Sequence, residues 1–228
     1  KACYKSQLKF LHEQGVTLHL ITRDNISEYV EIPLFIEEKV NKGNITLTHF
    51  SDIIRILLLE RYGGIWVDST LFFQKSLMPE YLNLPFYSIK LDPTKHQPVG
   101  FGQRLTECKW AGFILSSSCK HSPLFVYLKQ SILDYWKNHN TLVDYFIMNR
   151  LIKIAYNQSK VVKKEIDLVP YSNNKMYDLK DYLNSIYTEY LYNNIIGDSF
   201  CFKLSYKMQL HKLIDGQKTI YGHILENN

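Results

Sequence analysis

One segment of this 228-residue chain constrains its fold more than any other: Thr48 to Thr70, which reads THFSDIIRILLLERYGGIWVDST. Ile53, Ile54, Ile56, Leu57, Leu58 and Leu59 cover most of a helix circumference, so the spacing predicts a largely buried helix. Thr48 or Ser51 is placed to cap it. Asp52 then falls in the first turn, where the positive end of the helix dipole favours a negative charge. Asp52 and Arg55 are three residues apart and project from neighbouring positions on one face. Gly63-Gly64 ends the helix, one glycine supplying the left-handed conformation. Ile65-Trp66-Val67 reads as a short apolar strand with Asp68 at its carboxyl end. In open α/β sheets ligands collect just outside such strand ends. The plainer reading makes Asp52–Arg55 a structural ion pair and Asp68 the start of a turn.

Around this unit, strand and helix patterns alternate in the first half of the chain and helices cluster in the second, which predicts an α/β sheet with added helices. Ala2 to Gln14 predicts an amphipathic helix stopped by Gly15, with Leu8 and Leu11 on one side, and Val16 to Thr22 predicts a strand. A polar turn at Arg23 to Asn25 precedes a short, Pro-interrupted helix over Glu28 to Glu38. Phe86 to Leu91 and Gly112 to Ser116 predict strands separated by a long loop, Asp92 to Gly102. Ser122-Pro123 opens a helix that carries Phe125, Leu128, Ile132 and Tyr135 inward. Val143 to Tyr156 predicts another helix, and Cys201 to Tyr206 a late strand. No composition shift marks a boundary, so the chain reads as a single domain, residues 1–228. A βαβ unit needs a strand before its helix, so the chain is expected to lack its N-terminal first strand.

Composition narrows the function classes. The formal charge is +5, from 27 Lys and Arg against 22 Asp and Glu, which suits a diphosphate ligand or an anionic membrane surface. No dense basic run points to nucleic acid; Lys160, Lys163 and Lys164 read as a solvated face. Cys3, Cys108, Cys119 and Cys201 form no CxxC pair and no metal-ligand spacing, so reduced thiols are expected rather than a zinc site or disulfide framework. The longest apolar stretch, Ile53 to Leu59, is short and interrupted by Arg55, too short to span a bilayer. These features place the expectation in the cytoplasm, at most on the inner face of the plasma membrane.

The pattern SDxxRxxxLxxxGGIxxDxx, followed by Asp144-Tyr145-Phe146 and Lys203-Leu204-Ser205-Tyr206-Lys207, resembles the signature of DxD-type glycosyltransferases. That group includes the capsular polysaccharide synthesis family and, more distantly, yeast Golgi mannosyltransferases and glucosylating clostridial toxins. The resemblance implies a Rossmann-like glycosyltransferase-A fold with a mixed central sheet. It also implies transfer of a hexose or N-acetylhexosamine from a nucleoside-diphosphate sugar, UDP first, to a bacterial capsular or cell-surface polysaccharide acceptor, lipid-linked, with retention. A rival reading is a catalytically silent sugar-nucleotide- or glycan-binding module of the same fold.

The resemblance implies roles residue by residue. Asp52, Arg55 and Asp68 form its catalytic set; Asp52 would bind donor sugar hydroxyls and Arg55 the sugar or its phosphate. Ser51, Trp66, Thr70, Lys203 and Lys207 complete the donor-binding set, the two lysines facing the leaving diphosphate from one side of a strand. Asp144 would orient an acceptor hydroxyl. Asp68 matches the first acid of the DxD motif and would ligate Mn²⁺ or Mg²⁺. Thr70 stands where the motif has its second acid, and a neutral hydroxyl is a poorer ligand for a hard cation.

Overall fold

A computed structural model describes residues 1–13, 15–77 and 79–227. Among the described residues there are twelve helices and seven short strands, so the chain is mixed α/β, and the second half is dominated by helices as expected. The strands form one three-stranded and two two-stranded sheets. Contacts gather the chain into two compact units: Lys1–His19, Val67–Pro79 and Tyr171–Asn228 in the first, Leu20–Trp66 and Glu80–Pro170 in the second. No helix among the described residues is long and apolar enough to cross a membrane.

The first unit is built on the strand Leu71–Phe73, which pairs antiparallel with Cys201–Lys203 in the register Leu71↔Lys203, Phe72↔Phe202 and Phe73↔Cys201. Phe72 and Phe202 enter a core with Leu179, Leu183, Ile195, Ile220 and Ile224. The helix Ala2–His12 packs on Leu71–Phe73, but not by the expected apolar stripe: Leu11 is buried, Leu8 is exposed, and Ser6 and Gln7 face inward. Burying polar groups costs free energy unless they find partners, and these do. Ser6 Oγ accepts from the Phe73 amide at 3.0 Å, and Gln7 Nε2 donates to the carbonyls of Asp68 and Leu71 at 3.0 and 2.8 Å.

In the second unit the sheet has the strand order Gly64–Val67, Ile114–Ser117, Phe86–Tyr87, the last two antiparallel. The helix Leu47–Tyr62 packs against Pro123–Asn138, which also packs against Ile147–Gln158 and Lys160–Asp167. Ile53, Ile56 and Leu59 of the first helix and Leu128 and Ile132 of the second are buried, as the spacing predicted. Trp136, fully buried, takes the inward position expected of its half-exposed neighbour Tyr135.

Several expected boundaries move. Thr46, not Thr48 or Ser51, caps the long helix by accepting from the His49 amide, so Asp52 lies beyond the first turn. Val16 to Thr22 belongs to no sheet among the described residues, although its side chains alternate in part between half-buried and exposed. Phe86 to Leu91 joins the three-stranded sheet at Phe86 and Tyr87; beyond them the buried Ser88 hydroxyl bonds to the carbonyls of Ala111 and Ile114 and accepts from the Ala111 amide, Lys90 sits in a lone β-bridge, and the Leu91 amide bonds to the Cys108 carbonyl. The loop after it ends early, in the helix Gly100–Thr106, and the helix expected from Val143 begins at Ile147. The late strand ends at Lys203: the Leu204 amide makes one more bond across to the Thr70 carbonyl, and Tyr206-Lys207 then form a turn.

Candidate functional site

The expected site residues fall into a cluster in each unit. In the first, the Asp68 carbonyl accepts from the Leu71 amide at 3.0 Å, closing a tight turn that Gln7 also holds. The turn presents the Asp68 carboxylate and the Thr70 hydroxyl to one ammonium group. Lys203 Nζ donates to Asp68 Oδ2 at 2.8 Å and to Thr70 Oγ1 at 2.6 Å. About a quarter of each charged side chain stays exposed, 24% for Lys203 and 23% for Asp68, so the pair is neither dry nor freely solvated. Its geometry comes from the backbone: Lys203 faces Leu71 in the strand register, its amide bonds to the Met176 carbonyl at 2.7 Å, and the next amide bonds to the Thr70 carbonyl at 3.0 Å.

The same residues make a poor divalent-cation site. A hard dication wants several oxygen ligands, usually with carboxylates among them. Here one carboxylate and one hydroxyl already accept from an ammonium group. Among the described residues no group of three or more His, Cys, Asp or Glu side chains is placed to hold a metal ion.

The second cluster lies on the helix Leu47–Tyr62. Arg55 is 6% exposed, its guanidinium 3.4 Å from Asp52 Oδ1 and 5.1 Å from the centre of the Trp66 ring. A second guanidinium nitrogen donates to the Gly112 carbonyl. Planar guanidinium suits this combination of carboxylate, carbonyl and aromatic face. Ser51 is half-buried in the same helix. Asp52, Arg55 and Trp66 are thus brought together, and a buried ion pair of this kind also serves the helix packing.

Two expected residues are placed elsewhere. Lys207 is exposed beyond the strand end, its ammonium 5.9 Å from the Tyr206 ring centre, so it does not share a strand face with Lys203. Asp144 shapes the turn before the helix Ile147–Gln158, accepting from the Phe146 amide at 2.7 Å and from Arg150. The amide hydrogen bond first, and Arg150 after it, hold the Asp144 carboxyl below its ordinary value. The sequence reading missed Gln7, whose only trace is an amide on the inward face of an amphipathic helix. It also missed His49, buried within hydrogen-bond distance of Thr46 Oγ1 (2.7 Å) and the Tyr145 carbonyl (3.2 Å).

The sequence profile described as capsular polysaccharide synthesis protein matches residues 1–224. The chain belongs to the capsular polysaccharide synthesis family. That match covers both clusters, from Gln7 through Asp52, Arg55 and Asp68 to Lys203. No curated protein and no solved structure matches the chain.

Proposed function

We propose that this member of the capsular polysaccharide synthesis family is a glycosyltransferase of the Rossmann-like glycosyltransferase-A type. It moves a hexose or N-acetylhexosamine from a nucleoside-diphosphate sugar, UDP first, to a lipid-linked cell-surface glycan at the cytoplasmic face of the membrane. The observation that carries the reading is Asp68, set just past the end of Gly64–Val67 and held with Thr70 by Lys203, within a chain that the family profile matches almost throughout.

In the reaction the bond between the sugar C1 and the diphosphate oxygen breaks, and its electron pair goes to the departing diphosphate. The acceptor hydroxyl oxygen bonds to C1, with retention, and its proton leaves with the diphosphate. The resemblance assigns sugar hydroxyls to Asp52 and the sugar or its phosphate to Arg55. Catalysis of this kind depends on fixed charge aimed at the leaving group, a role that the Lys203 ammonium, registered beside Asp68, supports.

The second reading, a silent nucleotide-sugar- or glycan-binding module, is favoured by Thr70 in place of an acid. The two separate when the protein is incubated with a panel of nucleotide sugars, with and without a glycan acceptor, and nucleoside diphosphate release is scored. Release from at least one donor is the expected result. Binding without release from any donor would establish the silent module.

A further inference from the structure

The charge arrangement at Asp68, Thr70 and Lys203 carries one step further. We infer that the Lys203 ammonium is itself the cation of the donor site, so that this chain binds a nucleoside diphosphate without a divalent metal ion. The inference rests on the transferase reading above.

A dication drawing on Asp68 and Thr70 would have to displace an ammonium that donates to both, at 2.8 and 2.6 Å. It would then share the space with that ammonium, a like charge, and gain only one carboxylate. The Lys203 backbone is fixed on both sides by the Met176 and Thr70 carbonyls and by the pairing with Leu71, and its ammonium would give up both hydrogen bonds on leaving.

The charge balance is self-consistent. Replacing a second acid with Thr70 removes one negative charge, and replacing a dication with an ammonium removes one positive charge. The net local charge offered to a diphosphate is therefore the same as in a metal site with two acids. The donors also suit a phosphate. Thr70 Oγ1 accepts from Lys203 and keeps its own hydroxyl proton to give onward. As the C1–oxygen bond breaks and the pair moves to the diphosphate, the ammonium and the hydroxyl stabilise the growing charge by hydrogen bonds, without giving up a proton. Lys203 is thus assigned as a catalytic residue that contacts the donor diphosphate.

Calorimetric titration of UDP and GDP into the whole chain, in EDTA and in excess MnCl₂, tests this. Affinity for the nucleotide that binds should differ by less than about threefold between the two conditions. Lys203→Met should weaken binding in EDTA by about tenfold or more, while Lys203→Arg, which keeps the charge, should retain most of it. The double variant Thr70→Asp with Lys203→Met should bind only when MnCl₂ is present, and circular dichroism confirms that each variant is folded. Binding by the unaltered chain that vanishes in EDTA and returns with MnCl₂ overturns the inference and leaves the transferase reading standing. Lys203→Met binding as tightly as the unaltered chain in EDTA also overturns the inference alone. Binding of neither nucleotide in either condition overturns the assignment of a UDP or GDP donor, and the inference with it.

Discussion

Gly63 and Gly64 are adjacent and both adopt positive φ, +68° and +79°, yet their surroundings differ sharply. Gly63 closes the long helix, its amide bonded to the Leu59 carbonyl at 3.0 Å, and its ψ of −143° lies outside the left-handed region open to other residues. A Cβ there would sit 2.9 Å from the Ser117 carbonyl oxygen and 3.0 Å from the Cys119 carbonyl carbon and oxygen. All three are backbone atoms, so no side chain can swing away to relieve the overlap. At Gly64 a Cβ would meet nothing within 4 Å. Gly64→Ala therefore costs only backbone strain, about 1–3 kcal/mol, reduced by about 0.4–1 kcal/mol through the stiffer unfolded chain. Gly63→Ala adds a forced displacement of packed backbone, about 1–3 kcal/mol more. Together that is a large part of a typical stability of about 5–15 kcal/mol. At about 2–4 °C per kcal/mol for a chain of this size, Gly63→Ala should lower Tm by about 10 °C, and Gly64→Ala by less than half as much. Thermal and urea melts followed by circular dichroism measure both. Equal losses at the two positions, or a milder loss at Gly63, would refute the steric reasoning.

Two further predictions concern charge. Burial pushes the Glu60 carboxyl up, but hydrogen bonds from Lys129 (2.9 Å) and His121 (2.6 Å), with their charges, outweigh it and hold the group below the usual carboxylate range. A folded pKa below the unfolded one means that its stabilisation is complete above the unfolded value of about 4.3 and is lost as pH falls through the folded value. Glu60→Gln should cost on the order of 1 kcal/mol at neutral pH, since both partners are substantially exposed. Urea melts across the acid range should show the gap from the unaltered chain closing below about pH 4. Glu107, held at about 2 by hydrogen bonds from Lys109 and Lys153, is half exposed. Glu107→Gln should therefore cost no more than about 1 kcal/mol, an effect that molar salt should shrink in the same melts.

What could be read from the sequence divides along physical lines. The helix Leu47–Tyr62 and the turn at Gly63-Gly64 were legible because their signals, apolar spacing and two glycines, are local. The Asp52–Arg55 pair was legible for the same reason, at i and i+3 of one helix. Val16 to Thr22 was misread because alternation expresses a preference for extended backbone, while a strand exists only if another strand is there to pair with it. Ser88 shows a different limit: its buried hydroxyl ties to the Ala111 and Ile114 carbonyls and the Ala111 amide, a tertiary link that no local pattern announces. The link from Lys203 to Asp68 spans 135 residues and is set by the register of Leu71 against Lys203, which no local pattern encodes. Lys207 was placed with Lys203 on the assumption of a continuous strand, and the turn that begins after Leu204 undid that alternation.

The most direct test of the transferase reading is Asp68→Asn, which keeps the size of the side chain and removes its charge. Its carboxylate accepts from Lys203 beside the Thr70 hydroxyl, at the turn that the reading makes central. Nucleoside diphosphate release is measured for the unaltered chain and the variant with the same panel of nucleotide sugars, alongside a thermal melt of each. With Asp68 in the donor site, release from the preferred donor falls by about a hundredfold or more in the variant while the melt stays cooperative and within a few degrees of the unaltered chain. Near-normal release by a folded Asp68→Asn variant would contradict that placement.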